Sequence, residues 1–288
     1  MSKNKSNSFA KNVLMLMVAQ LVIKLLGLVY RLAITNIHGF GDLGNGYYSA
    51  GYQVYAVLLV LSSQGIPGAV SKLVSERTAL GEYNNAHRVF KISLVVFGAI
   101  GLACSLLLYF GADVIAGNIM HVPPVAYVLR VLAPAIFFVC VSAVVRGYFA
   151  GLGTMGASSI SQSLEQFFNC VLTILFVYAT IGRDAYIMAA AGNVSTTLAV
   201  LISFSYLIHY YRKYIGEYRM ESDDAVKTDR KSNRRMAKLI FWTAIPLTIG
   251  SVISVVTAFI DTVTVSNCIQ IAFKGILSSK QALEEEAM

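Results

Sequence analysis

Two cations lie inside the first long apolar run of the sequence, which is long enough to cross a membrane as a helix. Lys24 and Arg31 interrupt the segment 21–35, whose other residues are mainly Leu, Val and Ile. Lys24 falls near the centre of the run, so its ammonium begins about 15 Å from either surface of a hydrocarbon layer of roughly 30 Å. A lysine side chain is too short to carry its charge that far. The position therefore predicts a polar or water-filled interior beside Lys24.

The spacing of the polar residues in this run supports that interpretation. On a helix, Gln20, Lys24, Gly27, Arg31 and Thr35 fall within about 80° of one another. Ionisable groups in membrane helices generally face a bundle interior or an aqueous cavity, so the stripe is expected to line one. Arg31 lies about 10.5 Å further along the helix axis. It can alternatively extend to the interface, and the sequence leaves both positions open.

A second polar stripe lies in the fifth long apolar run, where four residues recur at positions i, i+3, i+4 and i+7. They are Gln162, Glu165, Gln166 and Asn169. The stripe either holds helices together through hydrogen bonds or faces a substrate, and the residue types do not decide between the two. Asp261, deep in the last apolar run, is also costly unless it is paired or hydrated.

The composition predicts an all-α polytopic membrane protein. Of the 288 residues, 56% are hydrophobic and 13% are charged, against roughly 25% charged residues in soluble domains. The mean hydropathy is +0.64. Cytoplasmic loops of membrane proteins collect Lys and Arg, so the net charge of +8 is interpreted from the positions of these residues relative to the membrane. The charge does not predict nucleic-acid binding. No acid, histidine or CxxC cluster indicates a catalytic site, a metal site or a cofactor, so an enzyme is not predicted.

Apolar runs of about 20 residues predict the membrane spans. We predict seven spans, at 13–34, 46–66, 92–112, 125–145, 159–181, 185–208 and 239–265. Connections such as "HGFGDLGNG" (38–46) and "HVPP" (121–124) separate them. The loop that starts at residue 209 is rich in both charges and shows no apolar periodicity, which is typical of a solvated linker. These patterns predict a six-helix bundle (1–208), a cytoplasmic linker (209–238), a seventh helix (239–266) and a polar tail (267–288).

The distribution of the 23 Lys and Arg residues predicts the orientation in the cell membrane. Seventeen, including Arg146, lie in the connections on one side of the membrane, and four lie on the opposite side. The remaining two are Lys24 and Arg31. Because positive loops stay in the cytoplasm, the N-terminus is expected to be cytoplasmic.

Two further features of the second span have alternative interpretations. The segment 62–72 contains Gly65, Pro67 and Gly68, which predict a break in the helix. The break is either a hinge or a simple helix terminus. One face of this helix carries Tyr48, Tyr52 and Tyr55. The face indicates packing or an interfacial belt, and the alternative is a binding platform.

Several segments, in order, resemble a known transporter superfamily. They are "LLGLVYRL", "GIPGAVSKLVSE", "RGYFAGLGTM" followed by "SQSLEQ", and "IPLTIGSVISVVTAFIDTVTVS". Together they resemble the multidrug/oligosaccharidyl-lipid/polysaccharide superfamily, and most closely its stage V sporulation protein B and lipid II flippase-like branch. Asn169 stands where this family often carries a basic residue.

The resemblance implies two pseudo-symmetric helical bundles that open a central cavity alternately to either side of the membrane. Lys24 and Arg31 would line the wall of the first bundle, and Asp261 would lie on the helix that begins the second. Members of the superfamily have about twice as many helices as this chain. We therefore expect either a fragment of a longer product or a partner that supplies the second half.

The leading functional hypothesis is the export of a polyprenyl-pyrophosphate-linked oligosaccharide or a peptidoglycan, spore-cortex or capsule precursor. Its partners would be this anionic lipid-linked glycan and the membrane lipids. Substrate contacts are assigned to Lys24 and Arg31, with further candidates in Gln20, Gln162, Glu165 and Asp261. The alternative is a multidrug and toxin extrusion antiporter for organic cations, which needs a membrane carboxylate, and Glu165 and Asp261 are the candidates. A membrane glycosyltransferase is less favoured because the external loops are short.

Overall fold

The computed structural model describes residues 17, 18, 21, 24–30, 32–218 and 235–249, and isolated positions between 252 and 268. Within these residues the chain is helical and contains no strand. The helices are α1 (24–30 and 32–35), α2 (Gly41–Ser63), α3 (Ile66–Ala79), α4 (Tyr83–Val114), α5 (Val125–Gly151), α6 (Gly156–Ala179), α7 (Ala185–Tyr218) and α8 (235–249). A short π-helical turn, Ile115–Ile119, extends α4.

Five helical segments in the described residues are long and apolar enough to cross a membrane. They are Gly41–Ala79, Tyr83–Ile119, Val125–Gly151, Gly156–Ala179 and Ala185–Tyr214. These segments confirm the second to sixth predicted spans and the all-α polytopic class. The first and seventh predicted spans lie only partly in the described residues, and they are helical where they are described.

The connection before α2 is shorter than the sequence predicts. Residues 38–46 are expected to form a loop, but α2 already begins at Gly41. The Gly44 N–H donates to the Phe40 carbonyl at 2.8 Å, which closes the first turn. Phe40 is almost fully buried, so its packing holds the start of the helix in the bundle.

Helix α5 lies at the centre of the bundle and packs against α2, α3, α4 and α7. Gly147 and Gly151 allow α3 to approach α5 closely. A Cβ on Gly147 would lie 2.8 Å from the Pro67 carbonyl oxygen, and one on Gly151 would lie 2.7 Å from Val74 Cβ. Small residues four positions apart let membrane helices meet at backbone distance. The pair therefore brings α3 into direct contact with the backbone of α5.

The predicted interruption after the second span is present and is only two residues long. Gln64 and Gly65 separate α2 from α3, and both keep right-handed helical dihedral angles. A Cβ on Gly65 would lie 2.1 Å from Thr248 Oγ1, and one on Gly68 would lie 3.0 Å from Leu247 Cδ1. Both glycines therefore make room for α8. A hinge at this position stays a prediction.

Helix α7 continues ten residues past its predicted end, so the predicted linker that starts at 209 begins with helix. Tyr206, Tyr210 and Tyr214 recur every four residues along this extension. The rings of Tyr210 and Tyr214 lie 5.0 Å and 5.5 Å from Phe149 of α5, measured between centroids. The prediction of no apolar periodicity in this segment is wrong, because tyrosines at helical spacing bury one face of the segment on the bundle.

Candidate functional site

A polar cavity of about 340 Å³ opens between α1, α2 and α6. Polar and aromatic side chains supply most of its wall. The lining residues are Gly27, Tyr30, Ile34, Asn45, Tyr48, Ser49, Tyr52, Gln53, Gln166 and Asn169. None of these described lining residues carries a charge at neutral pH. The described part of the wall is therefore polar and uncharged.

Helix α2 contributes half of the lining residues through one face. Asn45, Tyr48, Ser49, Tyr52 and Gln53 follow the spacing i, i+3, i+4, i+7 and i+8, which places them side by side on a helix. Only the tyrosines of this face were predicted from the sequence to lie side by side. The polar residues between them repeat with the same period and carry the signal that sequence reasoning missed.

The three tyrosines singled out from the sequence differ in how far they reach the cavity. Tyr48 and Tyr52 line it, but Tyr48 is only 6% exposed and belongs to the hydrophobic core together with Tyr55, which is 2% exposed. Tyr48 lies beside Tyr30 of α1 and Thr196 of α7, where three helices meet at the cavity wall. Tyr52 keeps 40% of its surface exposed and presents an open ring to the cavity.

Helix α6 supplies the amides of Gln166 and Asn169. The Asn169 Oδ1 atom accepts hydrogen bonds from Ser195 Oγ at 2.9 Å, Thr173 Oγ1 at 3.1 Å and Thr196 Oγ1 at 3.4 Å. These bonds hold the Asn169 side chain in place against α7. Gln166 approaches α1, since its Nε2 lies 3.8 Å from where a Gly27 Cβ would stand. The second predicted polar stripe thus contributes two of its four members to the cavity.

Two amides of the cavity wall have no hydrogen-bond partner among the described residues. Gln53 and Gln166 lie near the middle of α2 and α6, and neither takes part in any protein hydrogen bond there. Both side chains are partly exposed at the cavity, where water can satisfy their amides.

Glu165 does not line the cavity but forms an ion pair beside it. Arg146 Nη2 donates to Glu165 Oε2 at 2.6 Å, and the two side chains are 13% and 28% exposed. Arg146 also donates to Ser161 Oγ and Ser203 Oγ, both at 3.1 Å. This network joins α5, α6 and α7 and neutralises the charge of Glu165.

The prediction that Arg146 is a loop cation is wrong. Arg146 lies inside α5, because this helix continues six residues beyond its predicted end at 145. Removing Arg146 from the loop cations does not change the direction of the bias. A window of 20 residues ends a span too early when the helix is longer than the membrane is thick.

The other predicted site residues are dispersed. Lys24 is exposed and does not line the cavity, although Gly27, one turn further along α1, does. Gln162 is half-buried one turn before Glu165, and Asp261 is exposed. Gln20 and Arg31 lie outside the described residues. The roles of all six in substrate binding stay predictions. The described part of the chain holds no group of three or more His, Cys, Asp or Glu that suits a metal ion.

The described helices thus form an apolar bundle, long enough to cross a membrane, with a polar cavity inside it. The chain belongs to the family described as polysaccharide biosynthesis protein, whose family model matches residues 9–283. This match confirms the family resemblance seen in the sequence motifs.

Curated relatives from Bacillus subtilis (strain 168) are similar to much of the chain. Stage V sporulation protein B is 30% identical over 208 residues, which cover 69% of this chain and 39% of the relative. Lipid II flippase MurJ is 25% identical over 272 residues, which cover 90% of this chain and 49% of the relative. The chain therefore spans about half the length, or less, of these relatives.

Two solved structures share the fold. A MATE structure in complex with MaD3S has a TM-score of 0.69 at 17% identity, covering 84% of this chain and 52% of that one. A MOP superfamily transporter from Pyrococcus furiosus has a TM-score of 0.65 at 16% identity, covering 83% and 52%. At these identities the likeness shows the fold alone.

Proposed function

We propose that this chain forms the first half of a transporter that moves an anionic lipid-linked glycan precursor outward across the cell membrane by alternating access. The cargo class is a sugar carried on a polyprenyl pyrophosphate. The named flippase among the relatives and the family description support this class. The orientation follows the charge distribution, with a cytoplasmic N-terminus. No covalent step is required.

The observation that carries the proposal is the charge state of the bundle interior. A transporter that exchanges organic cations needs a carboxylate free to bind a cation or a proton. Glu165 is the one carboxylate of α6, next to the cavity residue Gln166, and it is ion-paired with Arg146. The cavity wall itself carries no charge in the described residues. Among the described residues of the cavity wall, none offers a free carboxylate to a cation.

A cation on α1 supplies the complementary group for an anionic cargo. Lys24 is exposed along α1 and lies one turn before the cavity residue Gly27. An ammonium at this depth is costly in lipid and becomes favourable when it contacts pyrophosphate. Outward movement of about two negative charges across a cell-negative membrane gains about 4.6 kcal/mol per 100 mV. The membrane potential alone can therefore favour export.

Ligand binding to the protein in lipid nanodiscs tests the proposal. A polyprenyl-pyrophosphate disaccharide is expected to bind, and ethidium, an organic cation, is not. Lys24→Ala should weaken glycolipid binding by about tenfold, since a hydrogen bond to a charged group contributes about 1.5–3 kcal/mol. Lys72→Ala provides the matched control, because it removes an exposed lysine of α3.

The same measurements identify the outcomes that reject the proposal. Saturable ethidium binding that protons displace, together with no binding of the glycolipid, would favour the cation antiporter. Equal glycolipid binding by Lys24→Ala and the wild type would remove Lys24 from the mechanism. Complementation of a flippase-deficient strain by the gene product that contains this chain gives a second readout that does not depend on nanodisc preparation.

A further inference from the structure

We propose that an apolar groove between α2, α3, α4 and α8 binds an acyl chain of an anionic phospholipid, whose phosphate is held by Lys238. The groove has a volume of about 370 Å³ and shares none of its described lining residues with the polar cavity. Three observations support the site: the chemistry of its wall, its length along α8 and the position of the lysine. None of them depends on the identity of the cargo.

The wall of the groove suits hydrocarbon. Apart from Ser62 and Thr248, its described lining residues are aliphatic or aromatic. The Ser62 hydroxyl donates to the Leu58 carbonyl at 2.6 Å, and the Thr248 hydroxyl donates to the Ala244 carbonyl at 3.0 Å. Both hydroxyls thus donate within their own helices. A methylene chain fits this wall, whereas a polar ligand would lose its water and gain few partners.

The groove is open along one side of the bundle. Its floor includes the buried residues Ile66 of α3 and Phe97 of α4, and its rim includes the exposed residues Leu61, Phe241 and Ile249. Lipid tails are as apolar as leucine, so exposed apolar side chains are stable where lipid covers them. An acyl chain can therefore enter the groove sideways from the bilayer.

The length of the groove matches one leaflet of a bilayer. On α8 its wall extends from Phe241 to Ile253, which is about 18 Å at 1.5 Å per residue. The hydrocarbon of one leaflet is about 15 Å thick, half of the roughly 30 Å of the whole core. A single acyl chain that lies along α8 therefore fills the groove from end to end.

Lys238 places a cation at one end of the groove. It lies three residues before Phe241 and seven before Ile245, so the three side chains share a face of α8. Lys238 is exposed, and the apolar run 239–265 begins directly after it. The lysine therefore lies where a lipid phosphate meets the hydrocarbon.

A second lysine indicates the same membrane surface. Helices α4 and α8 run in the same direction, because three membrane-crossing helices separate them along the chain. Lys91 of α4 lies six residues before Phe97, and Lys238 lies six residues before Ala244. Both separations are about 9 Å along the helix, so both lysines lie at the same distance from the groove. A lysine at a membrane surface attracts anionic lipid, so Lys238 selects an anionic headgroup over a zwitterionic one.

Quenching of Trp242 fluorescence by brominated phospholipids tests the site. Trp242 is the one tryptophan of the chain, follows the rim residue Phe241 on α8 and is exposed. The 288-residue protein is placed in phosphatidylcholine nanodiscs that contain increasing fractions of brominated phosphatidylglycerol or of brominated phosphatidylcholine with the same acyl chains. Phosphatidylglycerol should reach half-maximal quenching at an about fivefold lower mole fraction, the advantage of one lysine near an anionic lipid.

Two pairs of variants separate the lysine from the groove. Lys238→Gln should remove the preference for phosphatidylglycerol, and Lys213→Gln, which changes an exposed lysine of α7, should keep it. Ile245→Phe adds bulk to the groove wall and should raise the required fraction of phosphatidylglycerol several-fold. Leu239→Phe changes an exposed residue of α8 outside the groove and should leave that fraction unchanged.

The same titrations distinguish the other occupants of the groove. Equal quenching by the two lipids in the wild type, or a preference that persists in Lys238→Gln, would overturn the site. Quenching that falls when two protein copies share a nanodisc would assign the groove to a second copy of this chain. Displacement of brominated phosphatidylglycerol by small amounts of a polyprenyl pyrophosphate would assign it to the tail of that lipid. Either of these results would also overturn the phospholipid assignment.

Discussion

Removal of the Arg146 guanidinium should destabilise the bundle far more than removal of another ion-paired arginine on the same helix. In the Arg146→Met variant, Glu165 keeps its charge with only 28% of its side chain exposed. The hydroxyls of Ser161 and Ser203 also lose their donor. Breaking a buried pair costs about 3–5 kcal/mol. Because Glu165 retains some exposure, we expect about 3 kcal/mol, or a factor on the order of 100 in the folded-to-unfolded ratio.

Two further variants define the comparison. Arg130 also lies on α5 and is paired with Asp113, but these side chains are 38% and 67% exposed. Arg130→Met should therefore cost less than about 1 kcal/mol. The double variant Arg146→Met/Glu165→Met replaces the pair with apolar side chains and should return to within about 1 kcal/mol of the wild type.

Reversible unfolding in mixed detergent micelles, followed by circular dichroism, gives the free energy of unfolding for each variant. The reasoning would be refuted by equal losses for Arg146→Met and Arg130→Met. A double variant as unstable as the sum of its single variants would refute it too, since that result means the two side chains are not coupled.

Two other predictions concern packing. Gly147→Leu should push α3 away from α5, because a Cβ at this position would already lie 2.8 Å from the Pro67 carbonyl oxygen. The free energy of unfolding should fall by about 1–3 kcal/mol. Gly156→Leu should change it little, because nothing lies within 4 Å of a Cβ at that position. Tyr210→Ala should accelerate amide hydrogen exchange in the last turns of α7, since the Tyr210 ring contacts Phe149. Tyr178 is 69% exposed, so Tyr178→Ala is the control. Equal exchange rates in α7 for the two variants would contradict this prediction.

The sequence alone predicted the helical spans well because the membrane imposes a strong constraint. Backbone groups cannot stay unpaired in lipid, so an apolar run of sufficient length must form a helix. The second to sixth spans follow from this constraint. The ends of helices are less constrained, since a helix can continue beyond the membrane when other residues cover it. The aromatic contacts of Tyr210 and Tyr214 extend α7 in this way.

The candidate site was predicted only in part. Residue types and periodicity placed Gln166 and Asn169 on one face of α6, and Tyr48 and Tyr52 on one face of α2. Periodicity assigns a side chain to a face of its own helix and carries no information about which other helix that face meets. The closure of these faces into one cavity with α1 is therefore a property of the packed bundle.

The sequence by itself determined the membrane class, the helical spans, the family and the polar faces, because hydrophobic length and spacing are local properties of the chain. Tertiary structure decided that Glu165 is neutralised by Arg146, nineteen residues away, and that the described residues lining the cavity beside it carry no charge. Ion pairing depends on a distance of a few ångströms between helices. That distance is set by the close packing of α5, α6 and α7, which no single segment encodes.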